Sequence, residues 1–91
     1  MLDFIQRIRV RYPGLVVEQE LYEKQHGGTF LIIHGKYTIC RIYGRIDEFD
    51  AFSFQYKVGK QGRTIRVTSD ENFARALLKF DDLMERRMLV K

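Results

Sequence analysis

From residue 52 to 58 the chain alternates without a fault: Phe52, Phe54, Tyr56 and Val58 are apolar, while Ser53, Gln55 and Lys57 between them are polar. A period of two belongs to a strand with one buried and one wetted face, because successive side chains leave a pleated backbone on opposite sides. Such a strand is stable only inside a sheet whose apolar side something else covers, so the chain must supply a second layer.

Both ends of the sequence offer that layer. Leu2, Phe4, Ile5 and Ile8 recur at helical spacing, with Arg7 and Arg11 on another face, until Pro13 and Gly14 end the pattern. Phe73, Ala76, Leu77, Phe80 and Met84 form a second apolar stripe at the same period. Thr68 and Glu71 have capping-box spacing, with Ser69 and Asp70 as alternative caps, and Arg86 and Arg87 close the helix in keeping with its macrodipole.

Between the two helices the period is that of strands. Leu15, Val17 and Leu21 alternate with Val16, Glu18 and Glu20; "TFLIIH" is a continuous β-prone run; Gly35 and Lys36 make a tight turn into "YTICRIYGRI". After residues 52 to 58, "GKQG" is a glycine-flanked loop into "RTIRVT", where Ile65 and Val67 point inward and Arg66 outward. Links this short favour antiparallel neighbours, since parallel crossovers need longer connections. The expected fold is α+β: a two-layer sandwich in which an antiparallel meander of four to five strands is flanked by an N-terminal and a C-terminal helix, in the order α-β-β-β-β-β-α, as one domain over residues 1–91. Phe30 to Ile33 and Tyr37 to Tyr43 carry apolar side chains at both parities, more than a sheet with one wet face requires. Either a strongly twisted sheet wraps its own centre, or a partner, a second copy of the chain included, covers part of the second face.

A hydrophobic content of 45%, with seven Phe and five Tyr, is enough to order one core without metal or disulfide, and no cofactor is expected. Cys40 is the sole cysteine, which excludes an intrachain disulfide and a cysteine zinc cluster and suits a reducing compartment. Phe30 to Ile33 is far shorter than the roughly 20 apolar residues of a membrane span, and Asp3 with its neighbouring arginines does not read as a secretory signal. A cytoplasmic protein with no membrane association is expected.

The net charge is +4, and four cations, Lys57, Lys60, Arg63 and Arg66, fall at even spacing around one predicted hairpin. Arg41 and Arg45 on the preceding strand, with Tyr37 or Tyr43, extend this basic surface. Cations neutralise phosphate and aromatic rings stack on bases, so Arg41, Arg45, Lys57, Lys60, Arg63, Arg66, Tyr37 and Tyr43 are the candidate nucleic-acid contacts. The plainer alternative is a solvated sheet face whose arginines pair with Glu18 and Glu20.

Other chemistry finds little support. Asp47, Glu48 and Asp50 could hold a divalent cation, yet their spacing fits no calcium loop and acidic turn residues are ordinary. His26 and His34 are not at metal-ligand spacing from one another, Cys40 sits in an apolar run, and "GKQGR" lacks the spacing of a P-loop. The helix–sheet–helix order is also that of double-stranded RNA-binding domains, but the last helix opens on Ser69, Asp70 and Glu71 where that family carries a lysine-rich phosphate clamp. An enzyme is not expected. Two classes of function remain: a small non-enzymatic nucleic-acid-binding accessory or regulatory module, and a protein-binding module such as a stoichiometric inhibitor or adaptor of phage or mobile-element type. The first takes nucleic acid as its partner; the second takes an acidic protein, by an exposed sheet edge or an apolar patch, and a homodimer is a further option.

Overall fold

The computed structural model describes residues 2–20, 27–45 and 51–89. Helix α1 (Leu2–Arg11) leads into strands β1 (Val16–Glu20), β2 (Gly27–His34), β3 (Tyr37–Arg45), β4 (Phe52–Val58) and β5 (Gln61–Val67), and helix α2 (Asp70–Leu89) follows β5. The strands form one antiparallel sheet in the order β1-β2-β3-β4-β5, so the α+β layout expected from the sequence, with five strands, is the one found.

The register assigns the faces. Phe30, Ile42, Phe54 and Ile65 lie in one cross-strand row, and Phe52 and Val67 in the next. Together with Ile32 and Cys40 they meet Phe4, Ile5 and Ile8 of α1 and Ala76, Phe80 and Met84 of α2 in a single buried cluster. Phe4 is at its centre, with ring centroids 5.2 Å from Phe52, 5.6 Å from Phe54 and 5.4 Å from Phe73. Edge-on and tilted aromatic contacts of this kind add to the area they bury. Leu2, expected in the apolar stripe of α1, is 62% exposed, one turn too early to reach the sheet.

One of the two hairpin turns and the α2 cap differ in detail from the sequence expectation. Gly35 and Gly59 both have positive φ, 62° and 61°, and each opens a two-residue hairpin turn with the lysine that follows. Left-handed backbone at the first turn residue matches the twist of the flanking strands and costs glycine little. The second turn is therefore Gly59-Lys60 alone, and Gln61 and Gly62, expected in the loop, already pair with Val58 and Lys57. The α2 cap is Ser69, not Thr68. The Asn72 amide N–H donates to Ser69 Oγ at 3.2 Å, and Asn72 Oδ1 accepts from Ser69 Oγ at 3.0 Å and Thr68 Oγ1 at 3.3 Å.

The surplus of apolar residues in β3 has a local cause. Ile32 pairs with Cys40 but Ile33 pairs with Thr38, so Ile39 is an extra residue in the ladder. This bulge sends two consecutive side chains, Ile39 and Cys40, into the core, at 6% and 3% exposure, and reverses the parity of everything before it. On the opposite face Leu31 and Ile33 are half-buried and Val16 is exposed.

Candidate nucleic-acid interface

The face turned away from the helices carries two central rows. One runs Glu18, Leu31, Arg41, Gln55, Thr64; the other runs Glu20, Thr29, Tyr43, Ser53, Arg66. Lys57 belongs to the same face, opposite Gly62. From β3 to β5 the described outward side chains are those of Thr38, Arg41, Tyr43, Ser53, Gln55, Lys57, Thr64 and Arg66: cations, one aromatic ring and uncharged polar groups, with no acid among them. Arg41, Lys57 and Arg66 are exposed. Arg66 Nη1 donates to Ser53 Oγ at 3.2 Å, which holds its guanidinium over β4, one position from Tyr43 across the ladder.

Four of the sequence-predicted residues are thus brought onto one surface: Arg41, Tyr43, Lys57 and Arg66. The others are not. Arg63 pairs with Tyr56 and so shares the helix-bearing side of the sheet with Ile65, where its Nη2 donates to Gln61 Oε1 at 3.0 Å. Arg63 and Arg66 are three apart on a strand, and a period of two puts them on opposite faces. Lys60 stands exposed at the tip of the β4–β5 hairpin. Tyr37 pairs with His34 and, because of the bulge at Ile39, falls on the helix side at the β2–β3 tip, 49% exposed. Arg45 closes β3; its side chain, like that of Glu20 and like His26, Asp47, Glu48 and Asp50, lies outside the described residues.

Gln55, Ser53 and Thr64 were not among the sequence candidates, yet they supply hydrogen-bonding groups between the cations. Their outward parity in the strict alternation of residues 52–58 and in 64–66 was the available signal. Burial pushes the Cys40 thiol well above its usual pKa, which leaves it a core side chain and not a nucleophile. Among the described residues no group of His, Cys, Asp and Glu side chains could hold a metal ion, and no described helix is long and apolar enough to cross a membrane. Comparison of the chain with protein-family models, with curated proteins and with solved structures finds no match.

Proposed function

We propose that the protein is a non-enzymatic nucleic-acid-binding module that holds a single strand along the uncovered face of β3, β4 and β5. Arg41, Lys57 and Arg66 contact phosphates, Tyr43 stacks on a base, and Ser53, Gln55 and Thr64 offer hydrogen bonds between them. The observation that carries this reading is the composition of one continuous surface. Three exposed strands present cations and an aromatic ring with no carboxylate among their outward residues, on a side that neither helix covers. The acids in register with these rows, Glu18 and Glu20, are both on β1, separated from Arg41 and Tyr43 by Leu31 and Thr29 of β2. A sheet surface of this kind suits a flexible strand whose bases can turn toward the protein, and a duplex keeps its bases stacked inside.

The test is anisotropy of labelled single-stranded DNA, single-stranded RNA and duplex DNA over a salt series. Single strands bind more tightly than duplex, with a steep salt dependence, and the double variant Arg41→Glu/Arg66→Glu loses the binding. Tyr43→Ala weakens it by about 1–3 kcal/mol, the range for one stacked base. Failure of every probe to bind at low salt overturns the reading.

A further inference from the structure

The pairing of β3 with β4 runs from Gly44 and Phe52 to Arg41 and Gln55, and there it stops. Beyond it both strands continue: Thr38 and Cys40 remain paired to β2, and Tyr56, Lys57 and Val58 remain paired to β5. The bulge at Ile39 gives β3 an extra residue and a local bend at this point, and the two hairpins diverge from each other toward their tips. The sheet is split at one end. Residues 38–40 and 56–58 each keep one ladder edge engaged and turn the other toward a cleft of about 660 Å³.

The walls of this cleft are specific. Arg41, Gln55 and Lys57 stand toward the outer face, Arg63 toward the helix side, and Tyr56, Cys40, Ile39 and Leu83 form an apolar floor. Among the described residues no acid lines it. Lys79 Nζ lies 5.4 Å from the centre of the Tyr56 ring and adds a further cation beside the floor.

We infer that the split between β3 and β4 is a docking site for an extended acidic peptide segment, which adds a short strand between the two hairpins. Strand edges are matched by another polypeptide backbone, which offers N–H and C=O groups at the ladder repeat, and a nucleic acid offers no such repeat. Alternation then directs the side chains: an apolar residue of the segment meets Tyr56 and Leu83, and the residues on either side of it turn carboxylates toward Arg41 and Lys57. The site goes beyond nucleic-acid binding and shares Arg41, Gln55, Lys57 and Thr64 with that surface. Arg63 belongs to the cleft alone, and Tyr43 and Arg66 to the open face alone, so the two readings fail separately.

The experiment uses the full chain and a fluorescein-labelled peptide of alternating Asp or Glu and Val or Leu, with a second peptide of equal charge carrying proline at its central apolar positions. The alternating peptide binds, Arg63→Glu weakens it by at least about tenfold, because it sets a carboxylate beside the segment's apolar residue and reverses a charge in the cleft, and Arg66→Glu leaves it within about twofold. The proline peptide, lacking the N–H donors of a strand, binds at least about tenfold more weakly than its partner. Hydrogen exchange slows at amides within residues 38–40 and 56–58 when the alternating peptide is present. Equal binding of the two peptides, unchanged exchange at those amides, or loss of peptide binding in Arg66→Glu and not in Arg63→Glu overturns the inference. Protection of the same amides by single-stranded DNA and not by the peptide also overturns it, and assigns the cleft to the nucleic acid.

Discussion

The Tyr12 hydroxyl donates to Asp81 Oδ1 at 2.6 Å, closing the end of α1 onto the middle of α2. Arg11 Nη2 reaches Oδ2 of the same carboxylate, also at 2.6 Å, and the Tyr12 ring lies 5.6 Å from that of Phe80. One acid therefore receives the last residue of α1 and the residue after it. Burial first, then the bond to Asp81 and its negative charge, push the Tyr12 phenol from 10.0 up to about 12. A pKa raised by folding means that the neutral phenol is favoured in the native state. Its contribution to stability is fully present below pH 10 and is lost as pH rises toward 12. Urea melts at stepped alkaline pH should show this decline, and Tyr12→Phe should remove it while costing about 1 kcal/mol at neutral pH.

The two hairpin turns make a second prediction, because a β-carbon at Gly35 or at Gly59 would meet nothing within 4 Å. Substitution there is opposed only by the positive φ of the backbone. Gly35→Ala and Gly59→Ala should each destabilise by about 1 kcal/mol, and the asparagine variants by less, since asparagine tolerates left-handed backbone better. Gly62→Ala is the control: its backbone is not left-handed and its surroundings are equally open. Thermal melts should leave Gly62→Ala at or slightly above the wild type. An equal loss at all three positions would mean that something other than backbone strain governs them.

Ser69 and Asn72 cap α2 reciprocally, and the Phe73 N–H bonds the Ser69 carbonyl at 2.9 Å. Ser69→Ala should cost about 0.5–2 kcal/mol in denaturant melts, the range for losing an N-cap. Thr68→Val should cost less, because Thr68 approaches the same Asn72 oxygen from outside the helix.

The elements were legible wherever periodicity ran unbroken. Phe52 to Val58 and the stripe from Phe73 to Met84 specify their own period, and the short links leave few topologies for what lies between. Ile39 was not legible, because one inserted residue changes register without changing composition. Its effect propagates: it buries Ile39 beside Cys40, moves Tyr37 off the face of Tyr43, and opens the sheet beyond Arg41 and Gln55. The division of the basic residues could have been read earlier. Even spacing by three looks like a stripe, but on a strand it alternates faces, which is why Arg63 and Arg66 are separated and only Arg66 joins Arg41 and Lys57.

That separation yields the prediction with the most bearing on function. Counterions released from a single strand lower the slope of log affinity against log salt by about 0.7 for each phosphate neutralised. Arg41→Ala, Lys57→Ala and Arg66→Ala should each reduce the slope for single-stranded DNA by about that amount, and the double variants should add, as separate contacts on one track do. Arg75→Ala is the matched control: Arg75 is equally exposed, but it lies on α2 in the helical layer. Arg63→Ala, on the helix side, should behave as Arg75→Ala does. If Arg63 and Arg75 change the slope as much as Arg41 does, binding follows net charge and not the face of the sheet, and the strand has no defined track across β3, β4 and β5.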